Sequence, residues 1–322
     1  MSSAELQLLV RQIRREAVGI HSYELVHPQG QALPAFTAGA HIDVHLGAGL
    51  VRQYSLSNAP SERHRYVIAV LREEQGRGGS RALHDEVAVG QLVGVSAPRN
   101  HFELRPGLRR AILLAGGIGI TPLKAMAHAL AEQGVAHTLH YCVRDADRVA
   151  FADELHALRS EGRAQLHLDG GKPADGLDIP ALLREPEAGT HVYYCGPAGF
   201  MAACRQATAH WPEGSVHCEH FKAPEPDAAA GAVPAGSFRA QIASSGLILL
   251  VPAHQSLADA LIEAGAALDT SCVSGLCGTC KVGYRSGEVE HQDHILSETE
   301  QRSCLTPCVS RGKAGDLLVL DL

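Results

Sequence analysis

Four cysteines near the end of the chain have the residue type and spacing of an iron–sulfur centre. They are Cys272, Cys277, Cys280 and Cys308. The pattern C-x4-C-x2-C with one distant cysteine is the ligand spacing of a plant-type [2Fe–2S] cluster, whose irons take soft thiolate donors. Gly275 and Gly278 lie inside the loop, where the lack of a Cβ permits tight turns and lets backbone N–H groups point at sulfur. The pattern therefore predicts a centre that carries one electron at a time.

A structural zinc site is the alternative use of these thiols. Cys277 and Cys280, together with Cys304 and Cys308, would supply four thiolates at a spacing that suits zinc. A zinc site of this kind gives Cys272 no role, and it does not explain the glycines at positions 275 and 278. The spacing favours the cluster, with Cys308 as the fourth ligand because its gap from Cys280 is the longer one. Cys304 stays an alternative for that position.

Length and composition describe an ordinary globular chain of two or three domains. The 322 residues are 45% hydrophobic and 20% charged, and no apolar run is long enough for a membrane helix. A net charge of −7 argues against a nucleic-acid partner. Nine cysteines without a secretory pattern predict a reducing cytoplasm. We expect a monomer there, with no membrane or nucleic-acid partner.

Short alternating runs fill the first segment, residues 1–105. They predict six strands: Leu6–Arg14, Ser22–His27, His41–Leu46, Arg52–Ser57, Arg65–Leu71 and Leu92–Ser96. With one helix near Ser80–Glu86, they indicate a small antiparallel β-barrel. His41 and His45 share a strand face with Asp43, and we expect both histidines at the surface rather than at a metal.

The rest of the chain predicts two further domains. In residues 106–222, strands alternate with helices, which indicates an α/β domain with a parallel sheet. Residues 223–236 have the composition of a linker, rich in alanine and proline. Residues 237–322 begin with a hairpin and a short helix, with Ser256 as N-cap and Gly265 as stop, ahead of the cysteine loop. This order matches an α+β ferredoxin module of the β-grasp type, and its ten acidic and six basic residues give it a mild acidic bias.

Two motifs of the predicted barrel suit a phosphorylated planar ring. Arg-Gln-Tyr-Ser-Leu at 52–56 offers a guanidinium fork for phosphate and polar groups for a ring, and Arg-Gly-Gly-Ser at 77–80 precedes a helix N-terminus. Each motif alone is typical of a plain strand or turn, but together they predict a bound flavin. A single phosphate junction, with no aromatic residue to stack an adenine, favours FMN over FAD. The candidate contacts are Arg52, Tyr54, Ser55, Leu56, Gly78, Gly79 and Ser80.

A glycine turn follows the first strand of the predicted α/β domain. Gly-Gly-Ile-Gly at 116–119 lacks the usual dinucleotide spacing, but it opens a helix at Thr121, where nucleotides bind. Asp145, just past the next strand, could accept hydrogen bonds from a ribose diol and so favour NADH, or it could be a solvated loop acid. Cys195 ends a later strand at the same sheet edge, and could equally be a small buried apolar residue.

The order of these motifs resembles the phthalate dioxygenase reductase and vanillate demethylase reductase family over essentially the whole chain. The resemblance implies FMN on the barrel, NADH on the sheet and a [2Fe–2S] centre that passes electrons to a Rieske-type oxygenase. It implies that Arg52, Tyr54, Ser55 and Ser80 hold FMN. It also implies that Gly117, Thr121, Asp145 and Cys195 face the nicotinamide nucleotide, and that Phe221 covers the flavin ring.

The leading functional hypothesis is therefore an NADH-dependent reductase of an oxygenase. A flavin accepts two electrons together and releases them singly, which links a hydride donor to a one-electron cluster. One alternative is a reductase of a small acceptor such as iron, quinone or oxygen. The other is a zinc-stabilised binding protein with a degenerate nucleotide fold.

Overall fold

The computed structural model describes residues 6–47, 50–76, 78–221 and 236–322. These fall into two compact units, Met1–Phe221 and Lys222–Leu322. The predicted linker, residues 223–236, lies outside the described residues except for Gly236, and Arg77 also lies outside them.

A six-stranded antiparallel sheet forms the first half of the N-terminal unit. Its elements are β1 (Leu6–Ala17), β2 (Ile20–Val26), β3 (His41–Leu46), β4 (Leu50–Ser55), β5 (Tyr66–Leu71), α1 (Gly79–Glu86) and β6 (Leu92–Val95). The strand order is β4-β3-β6-β1-β2-β5. An isolated bridge between Leu56 and Ile68 links the two edge strands, so the sheet curls toward the predicted barrel. Alternate side chains such as Leu8, Ile42 and Val44 point inward and form its core.

A parallel sheet forms the second half of the same unit. Its elements are β7 (Arg110–Gly116), α2 (Ile120–Glu132), β8 (Ala136–Val143), α3 (Ala152–Ser160), β9 (Ala164–Leu168), α4 (Ile179–Leu182), β10 (Thr190–Cys195), α5 (Ala198–Ala207) and β11 (Val216–Glu219). The strand order is β11-β10-β7-β8-β9. From β7 the chain first adds β8 and β9 on one side and then returns to add β10 and β11 on the other side. Helices α2 and α3 pack on one face of the sheet, and α4 and α5 on the other. Ligands of such sheets bind outside the carboxyl ends of the strands at the reversal, here β7 and β10.

The C-terminal unit is a mixed sheet with one packed helix. Its elements are β12 (Phe238–Ile242), β13 (Ile248–Val251), α6 (Leu257–Glu263), β14 (Val282–Ser286), β15 (Val289–Glu290), α7 (Glu298–Gln301), β16 (Cys304–Leu305), β17 (Arg311–Gly312) and β18 (Leu317–Asp321). The main sheet has the order β13-β12-β18-β14-β16. Ser256 caps α6 by accepting from the Asp259 N–H at 3.0 Å, and Gly265 follows the helix at φ +80°. Both predicted ends of this helix are confirmed.

The expected surface position of His41 is wrong. His41 and Asp43 are both buried, at 6% exposure each. Arg99 donates to the Asp43 carboxylate at 2.7 Å, and the amide of Gln53 lies between Asp43 and the His41 ring. Burial, aided by the charge of Arg99, lowers the pKa of His41 to about 4, so the ring is neutral at physiological pH. His45, one step further along the face, is exposed.

No helix in the described part of the chain is long and apolar enough to cross a membrane.

Candidate functional site

The cysteine loop of the C-terminal unit turns as its glycines predict. Gly275 has φ +71° and Gly278 φ +66°, in the left-handed region that favours glycine. A Cβ on Gly275 would lie 2.7 Å from Val309 Cγ2 and 3.1 Å from the Asp293 Cα, so no other residue fits there. Even Val273 adopts φ +49°, which shows how tightly the loop is wound.

Four thiols gather around this loop as two close pairs. The sulfurs of Cys280 and Cys308 lie 3.3 Å apart, and a hydrogen bond from Cys277 lowers the pKa of Cys272 to about 5. The Leu276 N–H points at the Cys272 sulfur at 3.4 Å, as expected of a loop that solvates thiolates. Cys277, Cys280 and Cys308 are buried. This donor set, soft and partly shielded from water, fits a [2Fe–2S] cluster.

Cys304 lies apart from this group, on strand β16. Cys304 pairs with Gly283 of the neighbouring strand β14, and the Cys304 sulfur lies 3.8 Å from the Ser303 hydroxyl. Among the described residues, no three His, Cys, Asp or Glu side chains are arranged to hold a single metal ion.

The predicted phosphate junction brings Arg52 and Gly79 into direct contact. Strand β4 carries Arg52, and Gly79 is the first residue of α1, after Gly78 at φ +87°. A Cβ on Gly79 would lie 2.3 Å from Arg52 Cγ, so the arginine passes over the helix N-terminus only because position 79 is glycine. Ser80, the next residue, accepts from the Glu73 N–H at 3.0 Å. A guanidinium beside the positive end of a helix fits a phosphate group.

The rest of the β4 motif divides between the core and the outer face. Leu56 is fully buried in the sheet core, so it supports the strand from within. Tyr54 is half-buried against that core, and burial raises the pKa of its phenol, which stays protonated. Ser55 is buried on the opposite face of the strand, where it turns toward the parallel sheet.

The glycine turn after β7 packs against the end of β10. Gly117 has φ +54°, and a Cβ on Gly119 would lie 2.2 Å from the Cys195 carbonyl oxygen. Gly116 faces the Pro197 ring in the same way, at 2.9 Å. The turn thus needs glycine for conformation at one position and for close approach at two others. It lies at the strand ends where a dinucleotide would bind.

Thr121 and Asp145 flank this turn. Thr121 is buried, and its hydroxyl donates to the Ile118 carbonyl at 3.1 Å, which links the start of α2 to the glycine turn before it. Asp145 follows β8 and is half-exposed, with the nearest Arg148 nitrogen 3.8 Å from its carboxylate. Such an exposed pair is weak, so the carboxylate keeps acceptor capacity for a ligand.

Cys195 and Glu219 end the neighbouring strands β10 and β11, side by side in register. Cys195 is fully buried, and burial raises the pKa of its thiol well above the ordinary value. The Ser55 hydroxyl donates to the Glu219 carboxyl at 3.4 Å, across the junction of the two sheets. Burial raises the pKa of Glu219 to about 8, and the bond from Ser55 opposes this only in part. The carboxyl is therefore protonated at neutral pH.

Glu219 is the residue that sequence reasoning missed. Its strand, Val216–Glu219, carries no clear alternation, so the segment was not predicted as a strand. The signal that could have found it is an acidic residue two positions before Phe221, where a last parallel strand would end. Phe221 itself is 40% exposed.

Two stretches of the chain match described domain families. Residues 113–206 match the oxidoreductase NAD-binding domain, and residues 240–311 match the 2Fe-2S iron-sulfur cluster binding domain. The second match favours the cluster over the zinc alternative.

Full-length relatives share this organisation. The chain is 52% identical over 325 residues to the tert-butanol monooxygenase / tert-amyl alcohol desaturase reductase subunit of Aquincola tertiaricarbonis, covering 98% of this chain and 96% of that protein. It is 45% identical over 312 residues to a vanillate O-demethylase oxidoreductase of Pseudomonas putida, covering 95% and 96%.

A solved structure of phthalate dioxygenase reductase superposes with a TM-score of 0.76 at 40% identity, over 99% of this chain and 98% of that one. Its description is of a modular structure for electron transfer from pyridine nucleotides to [2Fe–2S].

Proposed function

The chain belongs to the phthalate dioxygenase reductase and vanillate demethylase reductase family, and from this premise we propose that it carries electrons from NADH through FMN and a [2Fe–2S] cluster to a Rieske-type oxygenase component. The flavin would accept a hydride from the nicotinamide and release its two electrons singly to the cluster. We further propose that the protein works as a monomer in the cytoplasm.

One observation supports this proposal most strongly: the contact between Ser55 and Glu219. Ser55 stands on the strand with the flavin-type motif, and Glu219 ends a strand of the NAD-binding sheet beside Cys195. The candidate flavin and nicotinamide sites therefore share one junction within a single compact unit. Hydride transfer needs such proximity, since reacting atoms must come within about 3–3.5 Å of each other.

Each side of the junction has its own binding residues. Arg52, with Gly78, Gly79 and Ser80, would bind the FMN phosphate, and Tyr54 and Ser55 would contact the ring, with Leu56 supporting them from the core. The Gly117 turn and Thr121 would receive the nicotinamide nucleotide, and Asp145 its ribose. Cys195 and Phe221 would lie against the reacting rings. Because burial keeps the Glu219 carboxyl protonated at neutral pH, the acceptor of the Ser55 hydrogen bond adds no negative charge to the junction.

The cluster would be held by the thiols of Cys272, Cys277, Cys280 and Cys308. Burial of the last three limits access of water and oxygen, and N–H groups such as that of Leu276 tune the potential through hydrogen bonds to sulfur. The C-terminal unit would thus be the electron donor to the oxygenase.

A truncated chain tests this assignment. A protein ending at Pro234 retains the whole first unit, so it should bind FMN and reduce an artificial dye with NADH at close to the full-length rate. It should fail to reduce cytochrome c or an oxygenase, because it lacks the one-electron donor. The full-length Cys280→Ser variant is the matched control, and it should show the same loss with the C-terminal unit present.

A reductase of small acceptors would behave differently. In that case the truncated chain would keep full activity with iron, quinone or oxygen, and restoring the C-terminal unit would change nothing. Full-rate support of an oxygenase by the truncated chain would identify the flavin as the true donor and contradict the proposed route.

A further inference from the structure

Lys124 is a buried lysine in an otherwise apolar stretch of helix α2. It is 5% exposed, and its neighbours Leu123 and Ala125 are fully buried. Taking an ammonium group out of water is unfavourable unless other groups compensate it. A leucine or methionine would suit this position in the helix better, so the charge itself calls for an explanation.

The ammonium group of Lys124 meets three partners from different elements. It donates to the Ser57 carbonyl at 3.1 Å and pairs with the Glu154 carboxylate at 2.7 Å. It also lies 4.5 Å from the centre of the Phe151 ring, a cation–π distance. Ser57 follows strand β4, whereas Phe151 and Glu154 belong to the start of α3. The lysine therefore ties the parallel-sheet half of the unit to the strand with the flavin motif.

The partners of Lys124 make further contacts of their own. Glu154 also accepts from His128, and although burial opposes its ionisation, the bonds from His128 and Lys124 lower its pKa to about 2. Phe151 adopts φ +57°, unusual for a bulky residue, and its N–H donates to Glu16 of strand β1 at 3.3 Å. These groups line a polar cavity of about 220 Å³ between the antiparallel sheet and helices α2 and α3.

The two ends of the tie lie close to the two candidate cofactor sites. Lys124 stands three residues after Thr121, on the helix that the glycine turn opens, and Ser57 stands two residues after Ser55. A shift of α2 relative to β4 would therefore change the distance between the nicotinamide turn and the flavin strand.

We propose that Lys124 is a positioning residue that sets the approach of the nicotinamide-binding turn to the flavin-binding strand. The proposal rests on the function proposed above. Lys124 does not touch the reacting atoms; it acts through Ser57 and the β4 strand. Its removal should misalign the two rings while leaving each cofactor bound.

The test compares Lys124→Met with Ser61→Ala in the full-length holoprotein. The Ser61 hydroxyl donates to Glu132 at 2.5 Å, a second link between the loop after β4 and the far end of α2, remote from the glycine turn. Two measurements are made: the charge-transfer absorbance of the oxidised flavin with a non-reducing tetrahydro-NADH analogue, and the limiting rate of flavin reduction by NADH in single turnover. Flavin content and the thermal midpoint are recorded for each variant.

Lys124→Met should weaken the charge-transfer band and lower the limiting rate by about tenfold, since a misplacement of about 1 Å can cost up to a hundredfold. The dissociation constant for NADH should change by less than about twofold, because the binding groups remain. Ser61→Ala should match the wild type in both measurements. Should Lys124→Met not fold, Lys124→Gln carries the same test, because its shorter amide cannot reach Ser57 and Glu154 together.

Wild-type absorbance and rate in the lysine variants would overturn the inference. So would a rate that falls only in step with flavin loss or the thermal midpoint, since this would reduce Lys124 to a stabilising role. If NADH did not reduce the flavin of the wild-type protein, the proposed function would be overturned as well. This outcome separates a failure of the proposed function from a failure of the role given to Lys124.

Discussion

The cluster loop and the junction of the two N-terminal sheets are built in opposite ways. Three of the four proposed cluster ligands lie within nine residues of one loop, from Cys272 to Cys280, and the positive φ angles of Gly275 and Gly278 help to shape it. At the junction, Ser55 and Glu219 are separated by 164 positions and meet only because two sheets pack together. A local site depends on its own sequence, whereas a distributed site depends on the packing of everything between its parts. A single substitution in the cluster loop should therefore abolish its function, whereas a single substitution at the sheet junction should reduce function only in part.

The largest effect is expected at Cys308, the proposed fourth cluster ligand. Cys308→Ser should abolish the cluster, with iron falling from about two per chain to near zero, because three thiolates do not complete the ligand set. Iron analysis and the visible spectrum measure this. Cys304→Ser is the matched control and should keep the cluster, since Cys304 lies apart on β16. The reverse outcome would transfer the fourth position to Cys304.

The next effect is expected at the phosphate junction. Arg52→Ala removes a charge-assisted contact and should weaken FMN binding by about 1.5–3 kcal/mol, roughly ten- to a hundredfold. Fluorescence titration of the apoprotein measures the change, and mass analysis of the released flavin should give FMN. Arg72→Ala provides the control, because this nearby arginine pairs with Asp85 and Glu74 instead. An FAD mass would contradict the reading of a single phosphate site.

A smaller effect is expected on the choice of nucleotide. Wild-type protein should prefer NADH, because Asp145 would repel a 2′-phosphate. Asp145→Ala should reduce the ratio of kcat/KM for NADH over NADPH by about five- to tenfold. The exposed neighbour Asp147 serves as control, and Asp147→Ala should leave the ratio unchanged. Equal kcat/KM values of the wild-type protein for NADH and NADPH would contradict a discriminating role of Asp145. They would point to Arg144 and Arg148 as partners of the 2′-phosphate.

The smallest effect is expected from the protonated carboxyl at the junction. The pKa of Glu219 is about 8 against an ordinary 4.5, so the folded protein keeps a proton that the unfolded chain releases within this range. Its contribution to stability is therefore lost as pH rises from about 4.5 toward 8. Glu219→Gln should have the wild-type thermal midpoint at acidic pH and exceed it by about 2–5 °C at pH values above about 8.

The control for this comparison is Glu213→Gln, which alters an exposed acid shortly before the same strand. It should follow the wild-type midpoint at every pH. A constant offset for Glu219→Gln, independent of pH, would show that the carboxyl acts through packing rather than through its proton.

The same contrast explains what the sequence could and could not predict. The strand–helix alternation after Arg110 and the cap of α6 at Ser256 are local signals, and the structure agrees with them. The cysteine spacing is a local signal too, and it lies within the stretch that matches the 2Fe-2S iron-sulfur cluster binding domain. Glu219 was missed because its strand has four residues and no periodic pattern. His41 was expected at the surface because alternation tells which residues share a face but not what covers that face. Here Arg99 and Gln53 cover it.

The contact between Gly79 and Arg52 has an evolutionary consequence. Position 79 is the first residue of α1, and glycine is a poorer helix former than alanine. The three atoms nearest to a Cβ at this position all belong to the arginine that passes over it. The substitution Gly79→Ala should thus be harmful while Arg52 is present, and neutral or favourable once Arg52 has been replaced by alanine. Such sign epistasis means that a lineage cannot improve this helix without first giving up the proposed phosphate contact of Arg52, so the two positions are expected to change only together.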